Sequence, residues 1–467
     1  MEITLVGLIS LFFGPICFYL GPKWCIFFFM LFSLLGASTA IISGGVVLAP
    51  GTIFGLLFIG SSFTSGNMSL KVADKLAFPY FGFWLAAILI YSLVSAYYFP
   101  KIMVGWTEVN PIGSTGYEPS SVPVPLTSSS GNLTQSIYLS ISVLMVFCAY
   151  SYSYKAENIL WVTRSILYFS VGNVLFAIFD IATFYTNSQF LLEPLRNTTY
   201  TLHVSETMAG LKRIVGSFTE ASVFSSVTLS NLAFTWRLRN MPQFSRIARP
   251  LCLAQIILLL LSTSSTAYLG LAILMLFVVL GTLNKAGKGT LSVRDFQGII
   301  GVAVLLFVFL LLCFQSADLQ NIVINLFSDA LLDKASSSSG IERHAWNVQA
   351  YQNFVDTFGF GVGLGGARAS SFILAIMSNI GVFGVICYLC FICILLFGLR
   401  GAADEIGTIR KAAAAGSALM LMPSIISGTM VDQGLMFSVW AGLSFGCQDV
   451  LKRHKTSTEI PPALNTV

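Results

Sequence analysis

Only 10% of the residues in this chain are charged, so ionisable side chains embedded in apolar sequence are where chemistry is sought first. A charge at membrane depth is costly unless it is paired or used. Glu220 lies in "GSFTEASVFSS", just inside an apolar run. Arg213 precedes it by seven residues, two turns of a helix, which would put both on one face. Asp180 lies in "FAIFDIATFY". The structural alternative for both acids is a pairing that locks helices together. Further on, Arg343 and His344 open a helical pattern, and Arg368 follows a run of glycines. Guanidinium groups hold an oxyanion through paired hydrogen bonds. A carboxylate or an imidazole within reach takes up a proton. Together these residue types suit work on a polar, anionic group at a membrane surface. Taken singly, each arginine is also explained by snorkelling to the interface, and His344 by an interfacial position.

The glycines stand in "GFGVGLGGARASS", residues 359–371. Gly361, Gly363 and Gly366 match G-x-G-x-x-G, with Gly365 between them. A dinucleotide site needs a strand before that motif, a βαβ unit around it and an acid about 20 residues on. Here an apolar run follows and that acid is missing. The better physical reading is a tight turn whose backbone amides approach an anion beside a helix N-terminus. Arg368 and the hydroxyls of Ser370 and Ser371 would complete the pocket.

The elements that must position these residues follow from hydropathy. The chain has 467 residues, 55% hydrophobic, with mean hydropathy +0.81. A soluble protein carries about 25% charged residues. Apolar runs near the roughly 17–25 residues that cross a bilayer recur at 3–20, 25–43, 47–64, 79–99, 134–152, 161–184, 216–236, 250–263, 266–282, 296–314, 370–398, 411–428 and 434–449. The expected fold is an all-α polytopic integral membrane protein of about 12–14 transmembrane helices. It would form a single transmembrane domain over 1–467, with one large external loop at 315–368. The alternation of a membrane β-barrel is absent. "MEITLVGLIS" lacks a basic n-region, so the first run is expected to be a retained helix.

The formal charge of +5 is read by location, not as a nucleic-acid signal. Arg237, Arg239, Arg246 and Arg249, the loop "NKAGKG", the pair Arg410 and Lys411 and the tail "KRHK" should face the cytoplasm. The same parity puts 100–133, 185–215 and 315–368 outside. The last of these carries Asp318, Asp329, Asp333, Glu342 and Asp356 against Lys334 and Arg343. It also holds two amphipathic helical patterns. "NIVINLFSDALL" has Ile322, Leu326 and Ala330 at helical spacing and would lie on the membrane. "SGIERHAWNVQAYQNFVDTF" has Ser339 and Glu342 at capping-box spacing, and Trp346, Ala350, Phe354 and Phe358 down one expected apolar face. Cys387, Cys390 and Cys393 have C-x-x-C spacing, but no His or carboxylate lies nearby in sequence, and packing is the expected role.

The "R…W" helix, the "GxGLG" turn and the span "SSFILAIMSNIGVFGVICYLCFI" follow one another. Upstream stand "GSFTEASVF" and "LSTSSTAYLGLAILMLF". Over roughly residues 200–400 this pattern resembles the bacterial O-antigen polymerase and ligase superfamily. The resemblance implies a multi-pass glycosyltransferase of the bacterial inner membrane acting on its periplasmic face, with no cofactor and no metal. Its donor would be a glycan on undecaprenyl diphosphate, and a sugar hydroxyl would attack with inversion. The diphosphate would fall to Arg343 and Arg368, with Arg213 as an upstream candidate. Membrane lipids and a separate chain-length regulator are the implied partners, and no nucleic acid is.

Glu220 is the first choice of base, since burial would raise its pKa, and His344 is the second. In the ligases a histidine follows the glycine turn; "ARASS" has none, which favours the polymerase over a ligase acting on a lipid A-core acceptor. The reading from another class is a flippase for lipid-linked oligosaccharides. Its signature is two related halves with matched helix breaks, and no such repeat is visible in the sequence.

Overall fold

The computed structural model of the protein describes residues 2–43, 46–66, 72–112, 122–198, 202–208, 211–287, 289, 300, 338–398 and 404–459. Its helices, in chain order, are α1 Leu5–Leu20, α2 Pro22–Ser33, α3 Pro50–Thr64, α4 Phe81–Ile102, α5 Ser130–Tyr152, α6 Ala156–Tyr185, α7 Ala221–Leu238, α8 Ser245–Leu261, α9 Ser265–Gly287, α10 Ser338–Asp356, α11 Phe372–Phe397, α12 Glu405–Ser427 and α13 Gly434–Glu459. Among the described residues six of these, α4, α5, α6, α9, α11 and α12, are long and apolar enough to cross a membrane. The protein is a helical, multi-pass membrane protein. Large apolar side chains such as Phe12, Ile90 and Phe397 are exposed, as expected where the surrounding solvent is hydrocarbon.

Most of the apolar runs are helices, but 25–43 is not a single one. α2 stops at Ser33, and β2 (Ile41–Ser43) pairs antiparallel with β3 (Val46–Leu48) and with β1 (Glu2–Ile3). The β-branched residues Ile41, Ile42, Val46 and Val47 suit this small sheet. Two further clips join β4 (Glu108–Val109) to β5 (Val124–Pro125) and β6 (Thr207–Met208) to β7 (Leu211–Lys212). The run expected at 296–314 and the amphipathic pattern around Ile322, Leu326 and Ala330 lie outside the described residues.

The chain divides into two compact units, one of Met1–Leu34, Thr39–Phe169 and Glu342–Val467, the other of Leu35–Ser38 and Ser170–Ile341. In the first, α5 and α13 pack closely, because "GLSFG" puts bare backbone on the contact. A Cβ on Gly442 or Gly446 would lie 2.5 Å from the Cβ of Ala149 or Ser153 respectively. Carbon atoms rest about 3.5–4 Å apart, so only glycine permits this small-x-x-x-small approach. Phe81 and Phe445 stack at 3.9 Å beside it. In the second unit α7 packs on α8 and α9. Buried polar pairs tie its helices: Asn173 donates to Thr228 Oγ1 at 2.8 Å, and Thr235 donates to Gln255 at 2.9 Å.

Candidate functional site

α10 carries Arg343 and His344 in its early turns, as the sequence pattern implies. Arg343 is half-buried and His344 exposed. The face that α10 turns inward is only partly the expected apolar one, with Trp346 and Phe354 half-buried. Ala350 is buried, but so are Asn353 and Thr357, whereas Phe358 is 80% exposed. The physical reason is that α10 ends at Asp356, and Phe358 sits beyond it with φ 53°. Polar bonds hold the helix in place. Thr107 donates to Asn353 at 3.1 Å, and Asn347 Oδ1 accepts from Ser370 N at 2.7 Å.

The glycine segment is fitted into a broken helix. α11 is non-helical at Gly381, where φ is 61°. The break frees the carbonyls of Ser378 and Asn379, and these accept from Val362 N (2.7 Å) and Gly363 N (3.0 Å). Val382 N in turn donates to Gly359 O at 2.9 Å. Gly361 N donates to Thr357 Oγ1, Gly366 N to Gly363 O, and Ala367 N to Asn379 Oδ1. The amides expected to meet an anion are thus taken up by the protein itself. Gly361, Gly363 and Gly365 all have positive φ, and a Cβ on Gly363 or Gly365 would lie 2.5 Å from Ser95 O or 2.3 Å from Gly131 O. These glycines let the segment cross α4 and the start of α5, where Asn132 Nδ2 donates to Leu364 O at 2.8 Å.

From Gly361 to Ser370 every residue is buried save Arg368. Its backbone N–H is anchored on Asn110 O at 2.7 Å, and its guanidinium lies over the Trp346 ring, 5.0 Å from the centroid. Cation and indole attract through the ring quadrupole. Arg343 precedes Trp346 by three residues and Asn347 by four, so the three share a face of α10. The structure therefore gathers Arg343, Trp346, Arg368 and Ser370 at one place in the first unit. Among the described residues neither arginine forms an ion pair. Just past Arg368, Ser371 caps α11 and donates to Ile425 O of α12 at 2.9 Å. An apolar groove of about 410 Å³ runs along these two helices, lined by Phe372, Ile376, Leu389, Leu396, Leu421 and Ile425 among others. One of its ends, at Phe372 and Ile425, thus lies at Ser371, three residues past Arg368.

Arg213 and Glu220 belong to the second unit, and they do not share a helical face. β7 ends at Lys212 and α7 begins only after Glu220, with Gly216 at φ 57° between them. Arg213 instead pairs with Glu206 at 2.6 Å. Glu220 is the half-buried N-cap residue of α7 and accepts from the Ser222 hydroxyl.

The buried charge centre of this unit is the structural pairing that the sequence left open for Asp180, with partners the sequence pattern did not reveal. Asp180 pairs with Arg196 at 2.6 Å, lies 3.7 Å from Lys212 Nζ, and accepts from Val215 N and Gly216 N. Burial lowers the Lys212 pKa, partly opposed by Asp180. Nothing in sequence spacing joins positions 180, 196 and 212. Their contact depends on the turn at Gly216, whose carbonyl also accepts from Arg196 at 2.6 Å.

No known family model matches the sequence, and no curated protein matches it.

Proposed function

We propose that the protein is a polysaccharide polymerase of the O-antigen type. It joins oligosaccharide units carried on undecaprenyl diphosphate, by inverting and metal-independent transfer on the periplasmic face of a bacterial inner membrane. The observation that carries this reading is the pair Arg343 and Arg368, without ion-pair partners among the described residues, with Arg368 three residues before Ser371 at one end of an apolar groove between α11 and α12. A lipid diphosphate has that same division, charge at one end and hydrocarbon at the other. Trp346, under the guanidinium of Arg368, offers an aromatic face as well. As the glycosyl bond breaks, the leaving diphosphate gains charge. Guanidinium groups that hold it more tightly at that point lower the barrier. The acceptor hydroxyl loses its proton to a base, and on the unit that holds the arginines the candidate is His344, next to Arg343 on α10.

The test is elongation of lipid-linked repeat units by purified protein in liposomes without an ion gradient. Wild type yields a ladder of longer glycans, whereas Arg343→Ala and Arg368→Ala yield none while still inserting in the membrane. Normal ladders from both variants would remove the site. Glu220→Gln and His344→Ala identify the base by which of them stops elongation.

The flippase reading is favoured by a different observation. α11 is interrupted at Gly381, and the α12–α13 connection is non-helical, a feature of helices that carry transport sites. Movement of lipid-linked units across the liposome without elongation would replace the polymerase with that activity.

A further inference from the structure

Residues 428–433, between α12 and α13, are non-helical. They run along α5 instead of closing a turn at its end. Gln135 Nε2 of α5 lies 3.5 Å from Met430 Sδ, Tyr388 of α11 donates to Val431 O at 2.9 Å, and Ser142 of α5 donates to Asp432 Oδ2 at 3.0 Å. Ser142 is twelve residues past Ser130, where α5 begins, or about 18 Å at about 1.5 Å per residue. Asp432 and the first turn of α13 thus sit beside the middle of α5. The other carboxylate oxygen, Oδ1, accepts from Gly434 N at 3.1 Å.

Asp432 has no Lys, Arg or His in ion-pair range among the described residues. A cavity of about 20 Å³ adjoins it, room for about one water molecule. α4 contributes Leu85 to its lining, α5 contributes Leu139 and Ser142, α11 contributes Tyr388 and Phe391, and α13 contributes Phe437 and Ser438. The other titratable group there is Tyr388, and its hydroxyl is engaged with Val431 O. Among the described residues no second charge faces the carboxyl from these helices.

We propose that Asp432 is a proton-binding site inside the first unit, a carboxyl that takes up and releases a proton in the apolar cavity between α4, α5, α11 and α13. Loading the proton neutralises a carboxylate that has no cation partner. It also weakens the two bonds, from Ser142 and Gly434, that fix the start of α13. Withdrawal from water favours the neutral form of the half-buried Asp432 carboxyl, while the bonds from Gly434 and Ser142 favour the charged one. The site is independent of the glycosyl-transfer reading, since no step of that reaction passes through Asp432.

Dicyclohexylcarbodiimide tests it, because the reagent enters apolar sites and attacks carboxyl groups only when they are protonated. The full chain in liposomes is treated across a pH series, and adducts are mapped by peptide mass spectrometry. The expected result is an adduct on Asp432 that falls by about tenfold or more between about pH 6 and about pH 8, following the protonated fraction. Ser142→Ala, which removes a donor to the charged form, moves the midpoint upward. Asp432→Asn loses the adduct, while the exposed Glu342 shows no matching pH-dependent one. No adduct on Asp432 at any pH, or labelling that does not change with pH, overturns the proposal. Loss of the adduct on adding sodium at constant low pH also overturns it, in favour of a metal-cation site.

Discussion

Two groups of cations, one in each unit, are held in opposite ways. In the second, Arg196 and Lys212 are almost wholly buried, and both are drawn to Asp180, while Arg213 is paired with Glu206. In the first, Arg343 and Arg368 are half-buried and form no ion pair among the described residues; Arg368 meets only an indole face and a backbone anchor. A buried cation with its own acid is part of the fold, and removing either partner leaves a charge without compensation. A cation held by its backbone, with the guanidinium left over, has hydrogen-bond capacity for a ligand. Charge alone thus does not mark a site; the presence or absence of an internal counter-ion does.

The sharpest break of this comparison is Asp180→Ala. It leaves Arg196 and Lys212 facing one another in a buried place, and a loss of about 3–5 kcal/mol is expected. A thermal melt in detergent should show little folded protein. If the variant melts like wild type, the cluster is not structural and the contrast fails.

Next in size is Arg368→Ala. Elongation should fall by about a hundredfold or more, the scale of removing one oxyanion donor, with an unfolding midpoint close to wild type. Arg368→Lys should recover only part of the activity, because an ammonium lacks the planar fork. An Arg368→Ala protein that fails to fold would put Arg368 in the same class as Arg196.

Asp432 is the anionic counterpart, a carboxylate lacking a cation, and its effect appears as a pH dependence. With no ion-pair partner among the described residues, the folded chain favours its neutral form more than the unfolded chain does. The stability it contributes is therefore present at low pH, where the carboxyl is protonated, and is lost as pH rises and it ionises. The wild-type melting midpoint should decline over that rise. Asp432→Asn should lack this decline and be the more stable protein at pH 8. Equal pH profiles for the two would show the carboxyl to be better compensated than its geometry implies.

The smallest effect is expected for Glu206→Gln. Both partners of the Arg213–Glu206 pair are partly exposed, so under about 1 kcal/mol should be lost. A larger loss would extend the buried cluster outward to Arg213.

Much of the helix pattern was legible because hydropathy is a local property. Runs such as 79–99, 161–184 and 370–398 are the helices α4, α6 and α11 within a few residues. The exception, 25–43, shows the limit, since apolar content does not distinguish a helix from a short β-branched sheet. Within the site, Arg343 and Trp346 could be placed together from helical spacing, whereas the meeting of Arg368 with Trp346 spans 22 residues and a turn. The Arg213 and Glu220 spacing misled for one reason, which is that periodicity carries meaning only where a helix exists. The glycine motif was conspicuous, but its purpose was hidden. Glycine marks close backbone approach, and whether a ligand or another helix makes that approach is not written locally. Asp432 drew no attention because "GTMVDQG" reads as an ordinary polar turn, while "GLSFG" was a legible small-residue signal that went unread.

The amino-acid sequence by itself determined that this is a mainly helical chain threading a membrane many times, because each span must satisfy its own backbone and present apolar side chains to hydrocarbon. It also determined which few positions carry charge. Tertiary structure alone decided which charges are matched. Asp180, Arg196 and Lys212 are brought together across a turn, Arg343 and Arg368 are set beside a tryptophan with no ion pair among the described residues, and Asp432 is carried to the middle of α5. Partnership between charges depends on distances through space, and in a folded bundle these are set by how helices break and pack, not by separation along the chain.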